Sequence, residues 1–279
     1  MKPHIFLSLL LILITDVRSV AQQTADPKQA ELAASARLKA MTQAEFKELA
    51  ARAHTGDAEA QFWIGSAYED GRLVPKDSEE AMQWFLKSAE QGYVPAQRMY
   101  GLASVSINPA VGERWMRRAG EQGDAEAQFC LGWAYEEDWF GTIDSQEALK
   151  WYRKAAEGGH PDAQVELGRR YEDGEGVEKS YGLAAKWYRK AAEHVPNLGG
   201  AGEGSDRLGL LYMEGLGVPQ DFAQAYFWFS LHGNVEVNAS DAREHLTPAQ
   251  IREVERLLKE WKEQHRLDPA VATALHIEN

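Results

Sequence analysis

Four groups of residues in this 279-residue chain are of types that could do chemistry. Carboxylates gather at Glu69-Asp70, Glu136-Glu137-Asp138, Glu172-Asp173 and Glu214, and such groups can hold calcium or meet a basic partner. His160, His194 and His232 are candidate metal ligands, and Cys130 is the single thiol. Gly199-Gly200-Ala201-Gly202-Glu203-Gly204 is as rich in glycine as a phosphate loop, but its glycines miss the dinucleotide spacing. The chain has no His-Glu-x-x-His, no Gly-x-Ser-x-Gly and no phosphate-binding glycine loop. Recognised catalytic chemistry is therefore not expected.

Each group also has a structural account. The histidines fall near the ends of helical patterns, where positive charge complements the helix dipole. They lie 9, 7 and 4 residues after the preceding tryptophan, so they do not share one line as metal ligands would. Cys130 sits inside a helical pattern and reads most simply as a small core residue. The carboxylates recur just after a helical tyrosine, at a helix end where negative charge costs about 0.3–1 kcal/mol each. Pairing with Lys87, Lys154 and Lys190 would explain them; so would an acidic edge for a basic partner, or calcium.

The elements that position these residues are copies of one unit, clearest at Pro161–Glu193. Gln164, Leu167, Gly168 and Tyr171 share one helical face, and Ala184, Trp187, Tyr188, Ala191 and Ala192 share another. Gly174 and Gly176 join the halves into a helical hairpin that must bury its stripes against neighbours. Five copies align on Gly65, Gly101, Gly132, Gly168 and Gly209, with Trp84, Trp115, Trp151, Trp187 and Trp228. Glycine and tryptophan are 19 residues apart in four copies and 14 in the second, which must turn more tightly. Five surplus residues fall in Asn197–Gly204, expected to be a mobile loop or frayed helix start.

The ends differ from the copies. Lys2, the apolar run Ile5–Ile14 and the small residues Ser19-Val20-Ala21 read as a cleaved secretory leader over 1–21, giving a periplasmic or secreted protein. No segment reaches the roughly 20 apolar residues of a membrane span. Asp26-Pro27 and the Thr42/Glu45 capping box open two helices over 22–56 that cap the array. Thr247-Pro248-Ala249-Gln250 opens another, with Ile251, Val254, Leu258 and Trp261 on one face, within C-terminal caps over 238–268. Residues 269–279 read as a disordered tail. The formal charge of −13 excludes a nucleic-acid binder, which needs a basic stripe, and disfavours anionic membranes.

The pattern Ala58-Glu59-Ala60-Gln61, Ile64-Gly65, Tyr68, Gly71, Asp77, repeated to Leu208-Gly209, Tyr212, Gly215-Leu216-Gly217-Val218, Asp221 and Ala225–Phe229, resembles the Sel-one-like repeat, a relative of the tetratricopeptide repeat. The resemblance implies an all-α, right-handed solenoid of about five hairpins over 57–237. It also implies a protein-binding scaffold, which the leader places outside the cytoplasm; no cofactor, no metal and a monomer are expected. A dedicated inhibitor or immunity-type partner of an envelope enzyme or toxin is expected ahead of a general chaperone. The alternative is a cell-wall-active or β-lactamase-like hydrolase. The β-lactamase-like members tie each repeat with a disulfide, which a chain with one cysteine cannot do.

Comparison of the copies locates the expected binding surface. One residue before and three after the helix glycine the type is nearly constant, whereas two before and one after it varies. The variable positions include Trp63, Met99, Trp133, Arg169 and Arg207, expected to line a groove with the tryptophans as anchors and the arginines fixing orientation. Packing of Trp63, Met99 and Cys130 between neighbouring copies is the competing expectation.

Overall fold

Helix ends are set by side chains that the copies share. The computed structural model describes residues 41–194, 200–231 and 236–265, which hold thirteen helices and no strand. A lone helix, α1 (Gln43–His54), precedes five hairpins: α2 (Ala58–Asp70) with α3 (Ser78–Glu90), α4 (Val94–Ser104) with α5 (Pro109–Glu121), α6 (Ala125–Glu136) with α7 (Ser145–Glu157), α8 (Pro161–Asp173) with α9 (Tyr181–Ala192), and α10 (Ala201–Glu214) with α11 (Phe222–Leu231). α12 (Glu236–Glu244) and α13 (Pro248–Gln264) follow. Asp57, Asp124 and Ser180 accept backbone N–H bonds at the starts of α2, α6 and α9, satisfying donors that a helix start leaves free. At the other end Gly71, Gly174 and Gly215 take positive φ and turn the chain out of the helix. The fold is an all-α solenoid of helical hairpins.

Loop composition varies while loop closure does not. The backbone N–H of Asp77, Asp144, Ser180 and Asp221 donates to the carbonyl of the helix tyrosine, Tyr68, Tyr135, Tyr171 and Tyr212 respectively, at 2.7–3.0 Å. The third copy keeps this bond although Asp138-Trp139-Phe140 replaces the glycines, because Asp138 itself takes φ +57°.

Each hairpin closes on its helix glycine. A Cβ on Gly65, Gly101, Gly132, Gly168 or Gly209 would stand 2.5–2.8 Å from Phe85, Met116, Tyr152, Tyr188 or Phe229, always the residue after the tryptophan. The second copy preserves this pairing across its shorter loop by a second close approach, where a Cβ on Gly112 would meet Val105 at 2.6 Å.

The contacts divide the chain into two units, one reaching Ser88 and the other spanning Ala89–Arg266. In the first, Phe46, Leu49, Ala53, Ala60, Ile64, Ala67 and Trp84 form the core, and the Gln61 side-chain amide donates to the Ala53 carbonyl at 3.1 Å. In the second, Gln97, Gln128 and Gln164 make the same bond to Ala89, Gly120 and Ala156. Each clasp fills an open carbonyl at the end of the helix before it.

The fifth copy has Ser205 at the clasp position, and its hydroxyl turns back to the Gly202 carbonyl at 2.9 Å. A different joint replaces the clasp. A Cβ on Gly204 would meet Ala191 Cβ at 2.8 Å and the Tyr188 carbonyl at 2.9 Å. Residues 201–204 are therefore helical, correcting the expectation of a loop or frayed start there: these glycines permit close helix contact. Residues 195–199 lie outside the described residues, as do the leader, the first expected N-terminal helix and the tail. At the far end Val254 and Leu258 of α13 are buried with Leu208, Leu211, Trp228 and Leu231, and Thr247 and Gln250 form the reciprocal capping box.

Candidate protein-interaction surface

The variable positions of the first helices sit on α2, α4, α6, α8 and α10, whose opposite faces are held by the glycine contacts. Trp133 is 45% exposed on α6, and its ring lies 5.0 Å from that of Trp139 in the following loop, tilted by 51°. Cys130, one turn earlier, is buried in the core cluster with Met116, Leu131, Tyr135 and Trp151. Met99 is half-buried, with its sulfur 3.9 Å from the Arg98 guanidinium. Trp63, in the first unit, is half-buried and packs edge-on to Phe62 at 4.9 Å. Arg169 is exposed and pairs with Glu166 at 3.4 Å. Arg207 bonds Glu203 at 2.9 Å and Glu172 at 3.4 Å. The two arginines thus have separate ion-pair partners, and Trp133 stands beside Trp139.

Beneath this surface run polar joints between copies that sequence reasoning missed. Tyr152 donates to Glu136 at 2.8 Å, and Glu136 pairs with Arg170 of the next copy. Tyr188 donates to Glu172, which pairs with Arg207 of the next copy. Burial first, then the hydrogen bond to Glu172, pushes the Tyr188 phenol well above its ordinary range, so it stays a donor. A second kind of joint places Arg117 between the rings of Tyr135 and Trp151, and Arg189 between those of Tyr212 and Trp228. Arg117 also bonds Glu113 at 2.9 Å and Glu147 at 3.2 Å, and the Trp151 indole donates to Glu147 at 3.1 Å.

These joints account for part of the recurring acid. Glu136 and Glu172 are inter-copy acceptors, and Glu69 pairs with Lys76 at 3.2 Å. Lys154 and Lys190, expected as partners, lie instead over the rings of Trp151 and Trp187 at 4.1–4.2 Å, and Lys87 lies over that of Trp84 at 4.2 Å. The available signal was the recurrence of Glu four residues after the helix glycine in three copies; the arginines that Glu136 and Glu172 meet stand two after and two before the glycine of the next copy and share no register.

Of the histidines, His160 differs from expectation. His160 caps the start of α8: its Nδ1 accepts from the Ala163 N–H at 3.3 Å, and its Nε2 faces Glu126 at 3.2 Å. A helix start disfavours positive charge, so this residue is an acceptor cap in the position Asp57 and Asp124 hold in other copies. His194 faces the Gln164 carbonyl oxygen at 3.2 Å, and His232 lies outside the described residues. Among the described residues no group of His, Cys, Asp or Glu could hold a metal ion.

One carboxylate is out of balance. Burial, with help from Glu203, raises Asp206 from 3.8 to about 6, and its Oδ1 is buried without a hydrogen-bond partner among the described residues. The folded state therefore holds this proton more tightly than the unfolded chain, and stability falls as pH rises from about 4 to about 6. Asp206→Asn is expected to stabilise the protein at pH 7 by about 1 kcal/mol, less than the shift alone implies because the group is partly solvated. The gain should vanish at pH 4 in urea titrations at the two pH values; an equal gain at both would exclude ionisation as its cause.

The family model described as Sel1 repeat matches residues 58–93, 98–124, 125–160, 161–194 and 203–231. A Sel1 repeat protein from Oxalobacter formigenes is similar in structure, with TM-score 0.59 and 26% identity over 74% of this chain and 89% of that one. A protective antigen of uropathogenic Escherichia coli strains matches with TM-score 0.48 and 26% identity, over 85% of this chain and 60% of its own. An immunity protein from Pseudomonas aeruginosa gives TM-score 0.48 and 16% identity, over 90% and 85%. No curated protein matches the chain. Among the described residues no helix is long and apolar enough to cross a membrane.

Proposed function

The chain belongs to the Sel1 repeat family, whose members are protein-interaction scaffolds, and from that premise we propose that its first-helix surface binds one dedicated protein partner outside the cytoplasm. That partner is an envelope enzyme or toxin, which the protein restrains as an inhibitor or immunity-type factor. The leader-like residues 1–21 support the location.

The observation that carries the reading is Trp133. A large aromatic ring, 45% exposed and backed by Trp139, stands on a helix whose other face is locked by Gly132 against Tyr152. Leaving such a ring in water forgoes apolar burial, and aromatic side chains on rigid supports are the usual anchors of protein interfaces. Met99 extends this surface in the preceding copy; Arg169 and Arg207 give it charge in later ones.

Trp133→Ala is expected to weaken partner binding by about 2 kcal/mol or more, while the melting temperature barely moves. The measurements are titration calorimetry against the partner captured by the wild-type protein, and thermal unfolding of both forms. A variant that melts early yet binds normally would make Trp133 a packing residue and end this reading.

A further inference from the structure

Charge is segregated by helix layer. The second helices α5, α7 and α9 carry nine Arg and Lys against four carboxylates, while the first helices α6, α8 and α10 carry three against nine. Pairing is segregated too. Arg169, Arg170 and Arg207 on the first helices are all in ion pairs. On the second helices Arg114, Arg118, Arg153, Lys154, Lys186 and Lys190 are exposed, and among the described residues none has an ion pair. In a chain of net charge −13, with carboxylates on the same helices, six unpaired cations in one layer form a distinct surface.

Its order comes from the tryptophans. Arg118, Lys154 and Lys190 lie over Trp115, Trp151 and Trp187 at 4.1–5.2 Å, which limits the freedom of their long side chains. Arg114 and Lys186 stand four residues earlier, about 6 Å away on the same helix face, and Arg153 neighbours Lys154, while Lys150 at the matching place is held by Glu147 at 3.0 Å. Arg117 of α5 reaches Glu147 of α7, and Trp187 of α9 packs against the cluster of Leu149 and Ala155 of α7. The three helices thus lie side by side, and the cations form a band across them. An exposed glutamate, Glu121, Glu157 or Glu193, follows three residues after each stacked cation, about 4.5 Å further along, and bounds the band. At the α5 end the band opens into a cleft of about 550 Å³ lined by Glu90, Arg114, Trp115, Arg117, Arg118 and Glu121.

We propose that this second-helix face docks an acidic segment of a protein partner, extended across α5, α7 and α9. A band one helix face wide, with a glutamate row beside it, accepts a single extended chain and repels a broad anionic surface such as a bilayer. The span from α5 to α9 is about 20 Å, which roughly six or seven extended residues cover. Arginines at the cleft match carboxylates in paired geometry, and Trp115 offers an apolar wall. The proposal rests on the chain's being a protein-binding scaffold and is independent of Trp133.

The test uses the full chain and a fluorescent polyglutamate peptide of about ten residues, followed by anisotropy. Wild-type protein should bind, and affinity should drop steeply as salt rises from about 50 to about 200 mM. The triple variant Arg114→Glu, Arg153→Glu, Lys186→Glu should bind at least tenfold more weakly with an unchanged melting temperature. The charge-conserving triple Arg114→Lys, Arg153→Lys, Lys186→Arg should bind as wild type, which separates charge from folding. Trp133→Ala should bind the peptide normally. No binding by wild type, or none lost in the charge-reversed form, overturns the proposal. Tighter binding to heparin or to phosphatidylglycerol vesicles through the same cations overturns it in favour of a glycan or lipid. Loss in Trp133→Ala alone moves the acidic ligand to the first-helix surface and leaves the scaffold reading intact.

Discussion

A melting temperature lower by roughly 6–10 °C is the expected result of Gly168→Leu, from an overpacking cost of about 3 kcal/mol in a protein of this size. The Cβ alone would stand 2.5 Å from the Tyr188 ring, and that ring cannot retreat without breaking its hydroxyl bond to Glu172. Because Glu172 also holds Arg207 of the fifth copy, the damage reaches the next repeat. Tyr188→Leu added to Gly168→Leu should recover part of the loss, since the two positions compete for one space. A change within measurement error for Gly168→Leu would mean that α8 and α9 do not pack through this contact.

Arg170→Ala should cost about 3 kcal/mol in urea titrations, the lower end for breaking a buried ion pair. Arg170 is 4% exposed, is bonded to Glu136 and lies 3.1 Å from Glu166. Its loss strands two carboxylates, one of them already pushed up by burial. Arg170→Met with Glu136→Gln and Glu166→Gln removes the charge from all three and should cost much less than the alanine variant. If Arg170→Ala lost under 1 kcal/mol, the joint between the third and fourth copies would rest on apolar packing alone.

The contrast between these positions explains what could be read in advance. Gly168 and Trp187 recur in every copy, so periodicity alone gave the hairpins, their pairing and the tight second turn. The partner of Glu136 is 34 residues away and that of Glu172 is 35 residues away, in a neighbouring copy. A pattern within one copy reveals that such a glutamate recurs, not what it reaches. His160 shows a related ambiguity, because one residue can follow a helix and start the next. Aspartate at the same place in two other copies was the clue. Glycines were misread where they serve packing, as at Gly204. At the variable positions the sequence could not tell the exposed Trp133 from the buried Cys130, since both answer to the same periodicity.

The glutamine clasps have a consequence for how the protein is made. Each spans eight residues, from a side chain to a carbonyl just behind it in the chain. Each glycine contact closes within one hairpin. The low sequence separation of these contacts favours rapid folding and asks for no partner from a distant part of the chain. A growing chain can therefore close each clasp while the rest is still being synthesised, and only the joint at Ser205, where the clasp is missing among these copies, lacks such a short-range bond.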